Sequence, residues 1–256
     1  LSPALLELGC PARVYIPLEE VSRLESLPGE GPEWCAVLPR VWRDRDEPAL
    51  RTLLERARAL GFTGVLIGNL GHLPLVRGLN FHLYGDYGLN VFNSRSLAYL
   101  KDKELESACV SFELRFAQIR DLKKVLRAEA IVYGRLPLMI TENCLVQNET
   151  GCRLDRQGPC VPEDGPCRCG QPNVLVDRTG AAFPLLPAYG HRTEIQNSKP
   201  LYLADRPEHR RLGLAYARLR FTTETAEECV SVVQNYLDAA PAAGDFTRGL
   251  YERGVE

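Results

Sequence analysis

The chain has 256 residues, of which 45% are hydrophobic and 25% are charged, and its formal net charge is −2. This composition supports an ordinary buried core, and the small net charge excludes a global field that would hold a polyanion. No stretch reaches the roughly 18 apolar residues of a membrane span and no charged-then-apolar leader opens the chain, so the sequence predicts a cytoplasmic protein.

The sequence has no initiator, because its only methionine is Met139. Its first residues have the pattern of a helix that ends before a strand at residues 12–16. We therefore expect a preceding segment of the same protein to supply earlier elements of the fold.

A β–α–β pattern comes next. Residues 34–38 and 65–67 are apolar runs of strand length. Between them, Pro48 stands in the first turn of a helix whose apolar residues recur at helical spacing until Gly61.

The alternation of strand and helix patterns continues along the chain. Further apolar runs lie at residues 89–92, 109–112 and 130–133, and a helical pattern covers residues 116–126. Alternating strands and helices are typical of a parallel sheet or barrel, and these six strands are two fewer than the eight of a closed barrel. The sequence therefore predicts an α/β fold in which residues 1–143 form an incomplete parallel β/α barrel of the TIM-barrel type.

Polar side chains follow the predicted strands, at the edge where parallel β/α folds carry their chemistry. Arginine and asparagine there can hydrogen-bond a planar or carboxylate ligand. We expect catalytic roles for Glu113, Arg115 and Arg135. We expect substrate binding by Arg40, Asn69, Asn90 and Asn93. Structural alternatives are that Asn93 caps a helix and that Glu113 pairs with Arg115 or Arg120.

A cysteine-rich stretch follows the predicted barrel. Five of the nine cysteines fall within 26 residues: Cys144, Cys152, Cys160, Cys167 and Cys169. A chain of this size needs no disulfide staples, so a metal or iron–sulfur site is the first hypothesis, and loose thiols on a surface loop are the alternative. The spacing matches neither a zinc ribbon nor a bacterial ferredoxin. We assign residues 144–205 to a metal-binding segment with a hairpin over residues 174–186.

The last part of the chain, residues 206–256, is predicted to be a small α+β appendage. It has a strand pattern at residues 217–221. A helix with an apolar stripe follows, and its N-cap is Thr223 or Thr225.

Several segments together resemble the collagenase-like peptidase family U32. They are YGRLPLMITENCLVQNETGC, LVDRTGAAFPLLP, EIQNSKPLYLAD and FTRGLYERGVE, with GNLGHL, GDYGLNVFNS and SFELRFAQIRDL upstream. The resemblance implies a barrel-like α/β domain with a cysteine-bound iron–sulfur cluster of the 4Fe-4S type. It also implies oxidative modification, namely hydroxylation of RNA bases or of an aromatic quinone precursor, while the family name comes from collagen-degrading activity.

This resemblance suggests Cys144, Cys152 and Cys169 as ligands, with Cys167 or His191 completing the set. The chain has His191 where the family pattern suggests a late cysteine. Imidazole can replace thiolate on iron and raises the reduction potential. Zinc remains an alternative to the cluster.

Two other functions stay open, a peptidase with a structural metal site and a non-catalytic scaffold. The sequence has no nucleophile elbow, HExxH pair, Walker loop or GxGxxG fingerprint, which argues against an ordinary hydrolase. The expected partners are RNA or a small aromatic substrate and the preceding segment of the same protein, with no membrane.

Overall fold

The computed structural model describes residues 3–9, 11–150, 168 and 171–255. Its helices are α1 Pro3–Glu7, α2 Leu18–Val21, α3 Glu47–Ala59, α4 His72–Val76, α5 Ser94–Asp102, α6 Phe116–Asp121, α7 Leu145–Thr150 and α8 Ala226–Leu237. Its strands are β1 Arg13–Pro17, β2 Glu33–Val37, β3 Gly64–Ile67, β4 His82–Gly85, β5 Ser107–Cys109, β6 Arg127–Gly134, β7 Pro137–Thr141, β8 Asn173–Val176, β9 Ala182–Ala188, β10 Arg192–Gln196, β11 Leu201–Tyr202 and β12 Tyr216–Leu219.

The main sheet is a curled parallel sheet that forms a half-barrel. Strands β1 to β6 lie in chain order and pair in parallel, and β12 pairs in parallel with the far side of β6. Side chains of β1 reach across the concave face, since Arg13 donates to Ser107 of β5 at 2.8 Å and to the Tyr216 hydroxyl of β12 at 3.2 Å. The expected parallel α/β fold with an incomplete barrel is confirmed as a half-barrel, whereas the TIM-barrel type stays a prediction.

The outer face of this sheet carries the main hydrophobic core. In β2, Trp34 and Ala36 point outward into that core, whereas Cys35 points inward. Helix α3 covers the outer face with the buried side chains of Leu50, Leu54 and Ala57. This alternation follows from the two-residue period of a strand.

The concave face, in contrast, is largely polar. Near the amino ends of the strands, the Arg13 guanidinium lies 3.6 Å from the Tyr84 ring centroid and 4.2 Å from that of Tyr216, and it pairs with Glu33 at 3.0 Å. One layer higher, Arg218 forms ion pairs with Asp86 and Glu129.

A second, antiparallel sheet has the order β7-β10-β9-β8. Because neighbouring strands run in opposite directions, the exit from β7, the turn between β9 and β10, and the entry to β8 all lie at one end of this sheet. The turn contains His191, which has a left-handed backbone with φ +58°.

Most predicted elements are present within one or two residues, but three need correction. The fourth strand is His82–Gly85, not residues 89–92, because Tyr87–Leu89 is a 3₁₀ turn and Val91 makes only an isolated bridge. The fifth strand ends at Cys109, before the predicted end at residue 112.

The third correction concerns the helix predicted over residues 116–126, which ends at Asp121. Leu122 is extended, and the Lys123 amide donates to the Ser94 hydroxyl at 2.8 Å instead of continuing the helix.

The strand predicted in the C-terminal appendage is β12, and it is a member of the main sheet. The helix after it begins as expected, with Thr225 as N-cap in a capping box with Glu228. Among the described residues, no helix combines the length and the apolar character that crossing a bilayer requires.

We expect Arg218→Met to lower the free energy of unfolding by about 3–5 kcal/mol, because it leaves two buried carboxylates without their countercharge. Equilibrium urea unfolding measures this change. The control is Arg120→Met, which removes an exposed pair with Asp121 and should leave the free energy of unfolding almost unchanged. Equal losses in the two variants would contradict the central role of Arg218.

Candidate functional site

Four polar side chains converge on the carboxylate of Glu194 in β10. Arg40, after β2, lies 2.6 Å from Glu194 Oε1, and Arg220, after β12, lies 2.8 Å from Oε2. Gln196 Nε2 donates to Oε2 at 2.8 Å, and the hydroxyl of Tyr87, after β4, donates to Oε1 at 3.4 Å. These five residues form the rim cluster, at the carboxyl ends of the parallel strands.

Arg40 is held in place along its whole length. A Cβ at Gly88 would lie 2.9 Å from Arg40 Cδ and one at Gly68 would lie 2.9 Å from Cγ, so only glycine leaves room for the arginine stem. His72 Nε2 lies 3.1 Å from the carbonyl oxygen of Pro39, and Asn69 Nδ2 donates to the Arg40 carbonyl at 3.4 Å. Both peptide groups next to the Arg40 Cα are therefore fixed.

Arg220 is fixed from the main sheet as well. Its amide donates to Tyr133 O at 3.0 Å, and its Nη1 donates to Arg135 O at 2.7 Å and to Gln196 Oε1 at 2.6 Å. Gly134 has φ +114°, and a Cβ there would lie 1.9 Å from Arg220 O. This close approach requires glycine at the end of β6.

Below the rim cluster, Arg218 is almost fully enclosed, with its side chain 9% exposed beside Asp86 and Glu129 at 6% and 3%. Its guanidinium also lies 4.5 Å from the Tyr15 ring centroid. Burial raises the pKa of Tyr15, and the charge of Glu129 adds to this shift. The layer below the rim thus holds one guanidinium and two carboxylates.

An aromatic pair borders the rim cluster. The rings of Tyr87 and Phe112 are 5.8 Å apart, and the Arg40 guanidinium lies 5.1 Å from the Tyr87 ring centroid. Burial raises the pKa of Tyr87, so its hydroxyl stays protonated and donates to Glu194. Planar rings beside guanidinium groups suit an aromatic ligand with an anionic group.

Of the predicted site residues, Arg40 belongs to the rim cluster and Arg135 adjoins it. The Arg135 guanidinium donates to the carbonyl oxygens of Asn197 and Ser198, which fixes the turn after β10. Asn69 supports the backbone of Arg40 and also accepts from the Gly71 amide at 2.8 Å. Arg40 therefore contacts Glu194 directly, whereas Arg135 and Asn69 hold the backbone next to the rim cluster.

The remaining predicted site residues have other contacts. Asn93 Oδ1 accepts from the amides of Arg95 and Ser96 and caps α5, as the structural alternative proposed. Asn90 has φ +49° and ends the 3₁₀ turn. The Glu113 amide donates to the Ser111 hydroxyl at 3.4 Å, within the turn after β5.

Arg115 lies outside the rim cluster. Its exposed side chain faces the C-terminal tail, where a Cβ on Gly254 would lie 2.7 Å from Arg115 Cγ. It lines a shallow cavity of about 480 Å³ together with Phe116, Arg120 and Tyr251.

Four residues of the rim cluster were not predicted, namely Tyr87, Glu194, Gln196 and Arg220. Glu194 and Gln196 lie in the segment EIQNS, which resembled the family but carried no chemical assignment. The alternation of Tyr216 and Arg218 in β12 with Arg220 just after it is the local signal that polar side chains face inward.

The predicted metal ligands are described only in part, since Cys152, Cys167 and Cys169 lie outside the described residues. Cys144 is 9% exposed, and its Sγ accepts the Gln147 amide at 3.4 Å. Within the part of the chain that is described, no group of three or more His, Cys, Asp or Glu side chains could hold a metal ion.

The two described candidates, Cys144 and His191, lie at the same end of the second sheet. Thr141 of β7 pairs with Thr193 of β10, so Cys144 follows this pair by three residues and His191 precedes it by two. The Leu145 amide donates to the Thr193 hydroxyl at 3.0 Å, which folds the chain after Cys144 back onto β10. A buried sulfur that accepts an amide hydrogen fits a cluster ligand.

We expect the acid stability of the protein to depend on His72. Burial lowers the pKa of His72 to about 4, against the opposing hydrogen bond to Pro39, so the folded state keeps the ring neutral. As pH falls below about 6.5, His72 becomes protonated in the unfolded chain but stays neutral in the folded chain. The free energy of unfolding therefore falls by about 3 kcal/mol by pH 4.

In His72→Gln, whose amide can still donate to Pro39 O, this part of the pH dependence should disappear. Urea unfolding at pH 7, 5.5 and 4 measures it, with His82→Gln at an exposed histidine as control. Parallel stability curves for wild type and His72→Gln would contradict this assignment.

Comparison with family models gives one match, to peptidase family U32 over residues 27–173. Comparison with curated proteins and with solved structures gives no significant match. The match covers more than half of the chain and includes β2 to β6, the first strand of the second sheet and Cys144. The chain therefore belongs to peptidase family U32.

Proposed function

We propose that this chain is an iron–sulfur protein of the U32 family that takes part in hydroxylation of an aromatic substrate, with RNA bases as the first candidates. The substrate binds over the carboxyl ends of the parallel strands. The cluster is held by Cys144 together with cysteines of the stretch that follows it, and with His191 or Cys167 as the fourth ligand.

The observation that carries the proposal is the architecture of the second sheet. The chain leaves β7 toward Cys144 and returns into β8 at the same end, where the turn with His191 also lies. Three strand spacings separate exit and entry, which is about 14 Å. The cysteine-rich stretch therefore begins and ends at two points that lie close together, which suits a segment that binds a compact inorganic centre.

The rim cluster supports the substrate side of the proposal. The Tyr87 and Phe112 rings offer a surface for a planar ring, and Arg40 and Arg220 offer donors to an anionic group. In hydroxylation a ring C–H becomes C–OH, a two-electron oxidation, so a separate co-substrate such as a hydroperoxide must donate the oxygen atom and is itself reduced to an alcohol. A bound cluster would supply one-electron transfer at this place.

Proteolysis has less support among the described residues. A cysteine nucleophile needs a lowered pKa, but burial raises the thiol pKa of Cys35, Cys109 and Cys229. The family name alone therefore does not favour the peptidase alternative for this chain.

The proposal predicts iron and acid-labile sulfide in protein purified without oxygen, at about four of each per chain. Cys144→Ser should lose most of both, because it removes a thiolate ligand. Cys229→Ser is a matched control, since Cys229 is 8% exposed and Cys144 is 9% exposed, and it should retain both. Full iron and sulfide content in Cys144→Ser, or zinc in place of iron in the wild type, would refute the proposal.

A second prediction concerns the fourth ligand. Thiolate donates more electron density than imidazole, so His191→Cys should lower the reduction potential, on the order of 100 mV, while retaining the cluster. His191→Ala should make the centre more sensitive to oxygen. Potentiometric titration followed by electron paramagnetic resonance measures both, and an unchanged potential in both variants would assign the fourth position to a cysteine.

A further inference from the structure

We propose that the rim cluster is an anion-binding site in which Glu194 is a built-in occupant, and that the carboxylate or phosphate group of a ligand binds Arg40 and Arg220 in place of Glu194. The inference rests on the proposed function only in that a ligand binds over the strand ends. It does not depend on the cluster or on the reaction.

The first support is the geometry around the carboxylate. Both oxygens of Glu194 are engaged, Oε1 by Arg40 and Tyr87, and Oε2 by Arg220 and Gln196. Two guanidinium groups that approach one carboxylate from different strand ends form an arrangement that recognises carboxylate and phosphate groups in general. A ligand anion of the same shape can make the same contacts.

The second support is that the donors are positioned without Glu194. Arg40 is held by Gly68 and Gly88 along its stem and by His72 and Asn69 at its backbone. Arg220 is held by the carbonyl of Arg135. These contacts come from the main sheet and its loops, and the Tyr87 ring lies 5.1 Å from the Arg40 guanidinium, so the Arg40 stem and the Arg220 guanidinium stay supported when the β10 carboxylate moves away.

The third support is charge. Arg40 and Arg220 carry two positive charges against the one negative charge of Glu194, whereas the deeper layer has Arg218 against Asp86 and Glu129. The excess positive charge is therefore in the outer layer, which an approaching ligand meets first. The Arg40 side chain is also the most exposed of the ion-paired three, at 26% against 18% for Arg220 and 13% for Glu194.

The ion pairs of Glu142 provide a comparison, because this glutamate also contacts two arginines but is much more exposed than Glu194. Glu142 also joins two arginines, Arg43 at 2.9 Å and Arg192 at 3.0 Å, and belongs to the same sheet region. The Glu142 side chain is 60% exposed, so water competes for its carboxylate, although the Arg192 side chain is only 4% exposed. Glu142 is therefore the matched control for Glu194.

The test measures the affinity of the whole chain for inorganic phosphate, from the rise of the melting temperature with phosphate concentration at constant ionic strength. Glu194→Gln removes the charge of the competing carboxylate, and the dissociation constant should fall about tenfold, the effect of one charge-assisted hydrogen bond. Glu142→Gln should leave it unchanged. Arg40→Met combined with Glu194→Gln should abolish the gain.

In Glu194→Gln the new amide side chain could still occupy the site and block phosphate, so a second variant with a smaller side chain is needed. Glu194→Ala leaves a space of carboxylate size, so acetate should raise its melting temperature, and phosphate should compete with acetate. Acetate and phosphate effects that are the same in wild type, Glu142→Gln and both Glu194 variants would overturn the proposal and leave Glu194 as a structural anchor. Iron content is unaffected by either result, so this test is independent of the cluster.

Discussion

The structure depends on a buried guanidinium, that of Arg218, enclosed between the carboxylates of Asp86 and Glu129. A charge in this position costs several kcal/mol of desolvation unless partners surround it. Arg218 lies in β12, its partners come from β6 and from the end of β4, and Tyr15 of β1 completes the enclosure. Satisfying Arg218 therefore requires the sheet to curl, and the polar concave face follows from that requirement.

The same logic applies at each level of the concave face. Arg13 lies between two tyrosine rings at the amino ends of the strands, and Arg40 and Arg220 share Glu194 at the carboxyl ends. Aliphatic side chains usually fill the centre of a parallel barrel, and such a face would bind no anion. Here Tyr87 links the two upper layers, because its amide donates to Asp86 at 2.8 Å and its hydroxyl donates to Glu194 at 3.4 Å.

The elements that were predictable are those with one apolar face. Strands β2, β3 and β6 could be located because their outward side chains form the main core, and Thr225 marks the start of α8 by a local capping pattern. Strand β4 was missed because its four residues begin with an exposed His82 and end in glycine, a pattern that is not typical of a buried strand. The apolar run that replaced it in the prediction contains a turn and a left-handed Asn90.

The candidate site was only partly predictable for a different reason. The rule that chemistry lies at strand ends found Arg40, Arg135 and Asn69, which follow strands that were correctly located. Glu194 could not be found in this way, because it lies in β10 of a separate sheet, and its contact with Arg40 spans 154 residues. No local pattern reports that two such segments meet.

Strand β10 connects the proposed cluster site with the proposed anion-binding site. His191 stands just before this strand, and Glu194 lies three residues later. An extended strand rises about 3.3 Å per residue, so these two positions are about 10 Å apart. Arg192, between them, is buried and donates to the carbonyl of Tyr189 at 3.0 Å, which restrains this part of the chain. A cluster bound beside Cys144 and a ligand bound at Arg40 and Arg220 would therefore be neighbours across one strand, and any movement of Glu194 would act directly on the turn that carries His191.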